Sequence, residues 1–255
     1  LLTYVRSISG GLIKEVKMSL SFCPGSSQFR QPNPEIIKCP SCAGEVEIWS
    51  DEIQAICPHC KESIIRAMDA SCLDWCKYAK ECVGDKSYSK YIENKAALLM
   101  KALEDYFGND QKRINHAKKV RHFAEELLKK ERGDWHIVIP ASILHDVGIK
   151  TAEEKYGSAS GRHQEKEGPE IARKMLNKLG FKKEYIEEIC AIIAHHHTPG
   201  AINTLNFKIL YDADRMVNLK DEATIKDKEK LKHAVEKSFL TESGKELAKK
   251  VYLDK

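Results

Sequence analysis

The stretch that decides the fold is Ile143-Leu144-His145-Asp146-Val147-Gly148. A helix with Ile139-Pro140 near its start runs apolar as far as Leu144, and an imidazole and a carboxylate then stand side by side before a helix-stopping glycine. A polar pair at the end of an apolar helix needs partners, and the chain offers them on both sides. Upstream, a helix over 91–106 breaks at Gly108-Asn109-Asp110 and a second spans 111–130. On the second, His116, Val120, Phe123, Ala124 and Leu127 recur at offsets of three and four, so His116 points inward with the apolar stripe. Taken alone, His116 reads as a core histidine.

Downstream, 158–161 reads as a loop, followed by Arg162-His163 and a helix with Pro169 in its first turn and Ile171, Met175, Leu176 and Leu179 as its buried stripe. The next helix, 184–196, buries Ile186, Ile189, Ile192 and Ile193 and ends in His195-His196-His197; Cys190 lies in its stripe as a small core residue. Phe207-Lys208-Ile209-Leu210-Tyr211 then leads into Asp212-Ala213-Asp214-Arg215. The alternating charges of 220–237 read as a solvated helix face, and Ser243 with Glu246 fits a capping box for a last helix that buries Leu247 and Val251. Imidazoles and carboxylates are thus delivered to helix ends and inner faces, as a metal site inside a helical bundle requires.

The order His116, His145-Asp146, Asp214 resembles the H...HD...D signature of the HD superfamily of metal-dependent phosphohydrolases, and Leu144-His145-Asp146-Val147-Gly148 is similar to its HDIG variant. The likeness spans roughly 115–219. His163 with Gly168 and Ala172, and Ile189 with Ile192 and His195, resemble two further segments of family members that bind a second metal, among them the HD-GYP phosphodiesterases, whose second adjacent histidine His196 matches. The resemblance implies that His116, His145, Asp146 and Asp214 hold one divalent metal, with Asp212 competing for the place of Asp214. It implies a second metal at His163, His195 and His196, bridged by Asp146. Mixed nitrogen and oxygen ligands suit Mn, Fe, Co, Ni or Zn better than Mg. Such a site would cleave a phosphate ester, of a nucleotide or another phosphomonoester or phosphodiester, by metal-activated hydroxide. His145 and Asp146 would be catalytic, and Lys150, Arg162 and Arg215, next to ligand positions, would neutralise phosphate oxygens. The lysine that directly follows HDIG in many relatives is displaced here to Lys150 by Ile149, and Thr198-Pro199-Gly200 stands where a GYP element would follow, which disfavours cyclic dinucleotide cleavage. Two other readings keep the fold: a regulatory or sensing protein, and a di-iron oxygenase.

Eight of the nine cysteines precede residue 83. Cys39-Pro40-Ser41-Cys42 and Cys57-Pro58-His59-Cys60, fourteen residues apart, have the spacing of a four-thiolate structural zinc site. Between them 45–49 and 53–56 read as two short hairpin strands, giving a zinc ribbon whose stability comes largely from the metal. Cys72, Cys76 and Cys82 are one ligand short. Cys23 would complete an iron-sulfur cluster or a second zinc site, with His59 as a substitute ligand.

The chain has 255 residues, 31% charged, with a net charge of +4 and both signs interspersed, which argues against a nucleic-acid specialist. No apolar run is long enough for a membrane span and no signal segment opens the chain, so a cytoplasmic protein is expected. The expected organisation is a translated leader over 1–17, because Lys14-Glu15-Val16 before Met18 can encode a ribosome-binding site, then a zinc ribbon over 18–66, a cysteine-rich connector over 67–90 and a helical catalytic domain over 91–255. Overall the reading is a mainly α protein, an HD-type helical bundle preceded by a small β zinc ribbon. Its partners would be a phosphorylated small molecule and, through the ribbon, another protein.

Overall fold

A computed structural model describes residues 5–6, 12–13, 32–50, 52, 54–65, 73, 79–80, 84–222 and 228–254. Cys23, Cys72, Cys76 and Cys82 lie outside the described residues. The chain divides into two compact units, residues 1–66 with 71–89, and 67–70 with 90–255. In the first, β1 (Val5–Arg6) pairs antiparallel with β2 (Leu12–Ile13).

The ribbon contains β3 (Pro34–Lys38), β4 (Glu45–Trp49), β5 (Gln54–Ile56) and β6 (Ser63–Ile65). The sequence reading placed one hairpin between the knuckles; the structure instead closes one hairpin with each knuckle. β3 pairs with β4 across the first and β5 with β6 across the second. The knuckles themselves dictate this, because each is a tight turn with the same two hydrogen bonds. Cys39 N donates to Gly44 O and Ala43 N to Cys39 O, while Cys57 N donates to Glu62 O and Lys61 N to Cys57 O. The residue after each second cysteine, Ala43 or Lys61, takes a positive φ that folds the strand back. On β4 the burial alternates, with Val46 and Ile48 inside and Glu45, Glu47 and Trp49 outside.

The helical unit is arranged around α3 (Trp135–Leu144), which is buried at every residue from His136 to Leu144. A helix that is apolar all round has to lie in the middle of its domain. Around it pack α2 (Gln111–Leu128), α6 (Lys183–Ile193) and α7 (Leu205–Glu222), and α2 and α7 also pack on each other. Helix α1 (Asp85–Phe107) adds Ala96, Leu99, Met100, Leu103 and Phe107 to the core. Helices α4 (Ile149–Tyr156) and α5 (Gly161–Lys178) pack together, α5 lies on α6, and α8 (Lys228–Ser238) with α9 (Glu242–Tyr252) forms a second cluster against α7. Cys190 is core, as expected.

Three helix starts differ from the sequence reading. Helix α3 begins at Trp135, so Pro140 is interior; Asp134 caps it by accepting from His136 N at 2.8 Å. Helix α5 begins at Gly161, so Pro169 is interior too, and the face of Gln164, Gly168, Ala172 and Leu176 is buried on both sides of the proline. Burial of that face outweighs the missing N–H. Thr241, not Ser243, caps α9 by accepting from Gly244 N at 2.9 Å.

The junction of α4 with α5 is unusually close. A Cβ on Gly148 would lie 2.4 Å from the Gln164 carbonyl oxygen and 2.7 Å from Gly168 N, and one on Gly168 would lie 2.8 Å from Ile193 Cγ2. Gly148 has φ −70, so it is required for this approach and not as a left-handed helix stop. We therefore expect Gly148→Ala to cost about 1–3 kcal/mol through overpacking against backbone, read as a fall of several degrees in the thermal midpoint of the helical unit; an unchanged midpoint would contradict the contact.

Candidate functional site

Helices α2, α3 and α7 pack pairwise, and each sends polar groups to one place. His116 comes from α2, His145 closes the C-terminus of α3 with Asp146 in the turn after it, and Asp214 comes from α7. His116 Nε2 lies 3.2 Å from His145 Nε2 and 3.0 Å from Asp214 Oδ1. Asp146 Oδ2 lies 3.4 Å from His145 Nε2 and 3.6 Å from His116 Nε2. His145 is 1% exposed, and its Nδ1 donates to Ser142 O at 2.9 Å, a partner that can only accept. That bond fixes the tautomer and turns the Nε2 lone pair into the cluster.

The turn after α6 repeats the device. His196 is buried, its Nδ1 donates to Ile193 O at 2.7 Å, and its Nε2 is a buried atom without a hydrogen-bond partner, 3.5 Å from Asp146 Oδ1. Asp146, His196 and His197 form a second group whose ligand atoms lie within 4.8 Å of one another, as do those of His116, His145 and Asp214.

With Nδ1 committed to a carbonyl, His145 and His196 each turn Nε2 toward the carboxylates, an arrangement that draws positive charge, either a proton or a metal ion, into their midst. Burial works against charging His145, yet the Asp146 and Asp214 carboxylates carry its pKa well above the ordinary histidine range. Burial likewise opposes charge on Asp146 and Asp214, but His145 with His196 holds Asp146, and His116 with His145 holds Asp214, well below the usual carboxylate range. The unmet demand is for positive charge. The separations also suit a metal, since cis ligands about 2.1 Å from one ion stand roughly 3.0–3.4 Å apart. Nitrogen and carboxylate donors together match a divalent transition metal.

Asp212 and Asp214 are now separated. Two positions along a helix differ by about 200°, so while Asp214 faces the histidines, Asp212 faces the turn before α9. It is fully buried and accepts from Leu240 N at 2.7 Å, Thr241 N at 2.8 Å and Thr241 Oγ1 at 2.7 Å.

Other expected site residues are placed differently. His195 is exposed and belongs to neither group; His197 stands in its place, its ring 4.0 Å from that of His196 and its Nε2 3.2 Å from Gln164 Oε1. Burial, then the neighbouring His196, lowers the His197 pKa. The reason is local: α6 ends at Ile193, so 195–197 follow a turn and not a helical period. Glu165 pins that turn by accepting from His197 N at 3.0 Å and from Thr198 Oγ1 at 3.0 Å. His163 stacks on Tyr156 at 4.3 Å and keeps a buried Nδ1 without a hydrogen-bond partner, but it joins neither group. Lys150 is not directed to the cluster: its Nζ donates to Tyr106 O at 3.0 Å and lies over the Tyr106 ring, because the intervening Ile149 turns it about 100° around α4. Arg162 is exposed and Arg215 half-buried.

In the ribbon, Cys39 Sγ lies 3.6 Å from Cys60 Sγ and Cys42 Sγ 3.6 Å from Cys57 Sγ, near the roughly 3.8 Å edge of a tetrahedron with Zn–S of 2.3 Å. Hydrogen bonding from Cys60 N leads the causes that lower the Cys57 thiol to about 6. At Cys60 the Glu62 amide lowers, but burial and the other three sulfurs push the thiol up to about 12. The Cys57 thiolate forms readily, whereas Cys60 needs a cation to ionise.

The HD domain family matches residues 113–219, a span that includes His116, His145, Asp146 and Asp214. Over these residues the chain is similar to HD domains. A solved structure of a predicted HD superfamily hydrolase from an uncultured Thermotogales bacterium is 27% identical with a TM-score of 0.45, over 63% of this chain and 84% of that one. None of the curated proteins matches the chain. The family supports divalent-metal binding at the helical cluster, and the four cysteines fit a zinc ribbon. Among the described residues no helix is long and apolar enough to cross a membrane.

The Asp212→Ala variant separates strut from ligand. Loss of its acceptors strands two backbone N–H groups, so stability should fall by about 3 kcal/mol while metal content at the HD cluster is retained. Unchanged stability with lost metal would make Asp212 a ligand.

Proposed function

We propose that this chain is a metal-dependent phosphohydrolase that cleaves a phosphate ester of a small molecule. The observation that carries the reading is the division of Asp146, whose Oδ2 faces His116 and His145 and whose Oδ1 faces His196. A carboxylate split in this way bridges two ligand groups. His116, His145, Asp146 and Asp214 would hold one divalent metal, and Asp146, His196 and His197 offer a second position. Bound there, divalent metal supplies polarisation of a phosphoryl oxygen and lowers the pKa of attacking water toward neutrality.

The chain's own residues do the rest. Ser142 O and Ile193 O hold the two buried imidazoles with Nε2 forward, so no reorientation is needed when substrate arrives. The side chains of His116, Asp146 and Asp214 keep 22%, 21% and 17% exposure, leaving an open side through which a phosphate can approach. Arg215, adjacent in sequence to Asp214, is the candidate for neutralising phosphate oxygens, with Arg162, exposed at the start of α5, as a second. The ribbon holds structural zinc, because four thiolates leave no coordination position open to a substrate.

Metal analysis of purified protein, paired with hydrolysis of a generic phosphomonoester in added Mn or Co, tests both sites. Asp146→Ala should lose the transition metal of the HD cluster and lower turnover by about 10³-fold or more, while Cys39→Ser/Cys42→Ser loses only zinc. Unchanged metal content in Asp146→Ala would show that the histidines are core residues and end the hydrolase reading.

A further inference from the structure

Asp214 is held from behind. Its Oδ1 faces His116 Nε2 at 3.0 Å and His145 Nε2 at 3.6 Å, and its Oδ2 accepts from Asn218 Nδ2 at 2.9 Å. A carboxylate can only accept, so the amide of Asn218 presents its NH₂ group here. Asn218 is four residues on from Asp214 in α7, the spacing that stacks side chains on one helix face.

We infer that Asn218 is a positioning residue for metal binding, selecting Oδ1 of Asp214 as the single ligand atom. This rests on the hydrolase reading of the cluster. The last torsion of an aspartate is broad and close to two-fold, so an untethered carboxylate exchanges its two oxygens and can chelate with both. A donor on Oδ2 removes that freedom. The choice of an amide also matters. Lysine or arginine at 218 would place a competing cation against the carboxylate, and aspartate would repel it, whereas a neutral donor occupies one oxygen and leaves the full negative charge for the metal. His145 and His196 are oriented by backbone carbonyls in the same manner. Asp214 sits mid-helix, where the backbone N–H groups are spent on helix bonds, so its orienting donor has to come from a side chain.

The test is Mn(II) titration of the chain carrying one equivalent of zinc, which the four thiolates take, read as the free-ion signal by electron paramagnetic resonance, with melting of the Mn-free protein alongside. Hard Mn(II) leaves the thiolate ribbon to zinc. Asn218→Leu and Asn218→Ala should bind Mn(II) about 10–100-fold more weakly with melting near that of the wild type, and Asn218→Gln, which restores a donor, should recover most of the affinity. Wild-type affinity in both donorless variants, or no recovery in Asn218→Gln, overturns the assignment while Asp214→Ala still abolishes binding. If wild type and Asp214→Ala bind Mn(II) equally, the hydrolase reading fails and the role of Asn218 falls with it.

Discussion

The helical unit is built to carry the polar groups crowded at the C-terminal end of α3. That helix is buried on every side and His145 at its end is 1% exposed, so this imidazole cannot turn to bulk water for its partners. His145 Nδ1 is satisfied within the turn by Ser142 O, which leaves one imidazole lone pair and a carboxylate facing inward. Everything that reaches this point carries a further metal-ligating group: His116 from α2, Asp214 from α7, His196 from the turn after α6. A cluster of this kind destabilises an empty fold. It is tolerable because the helices that carry these groups are also those that bury α3.

The same constraint explains the small residues nearby. To bring Asp146 between two histidine groups, α4 must leave the turn at once and cross α5 at backbone distance. Gly148 and Gly168 allow that crossing, and Ile193, the last residue of α6, closes over Gly168. Behind α7, Asp212 and Gly244 make a comparable close approach that fixes α9 against the helix carrying Asp214. The site is therefore framed on both sides by contacts that a single methyl group would disturb.

How much of this was legible follows from what each signal measures. Helical offsets placed His116 inward because the stripe it shares with Val120, Ala124 and Leu127 is buried. Residue chemistry picked out His145-Asp146. Both signals fail once the helix ends: in 195–197 three adjacent histidines have no period, and only the contacts with α5 decide that His196 is buried and His197, though exposed, joins its group while His195 does not. Asp212 against Asp214 was open because two carboxylates two residues apart look alike until the position of α9 is known. The interior prolines misled for a different reason, since Pro140 and Pro169 stand where propensity ends a helix and burial continues it. In the ribbon the cysteine spacing was clear, but strand pairing depended on turn hydrogen bonds that spacing does not encode.

The two ligand sets sort metals by chemistry. Four soft thiolates in tight turns make a closed tetrahedron whose ligands are each tied to its own hairpin, suited to zinc and to structure. The HD cluster mixes imidazole with carboxylate, keeps three ligand side chains partly exposed and shares one carboxylate between groups. Such a set binds less selectively, and selectivity then has to come from geometry. That is why the groups behind the ligands matter: Ser142 O and Ile193 O orient the two buried imidazoles, and the Asn218 amide, on the reading proposed above, would orient Asp214 in the same way, so that geometry would govern which ion the cluster takes.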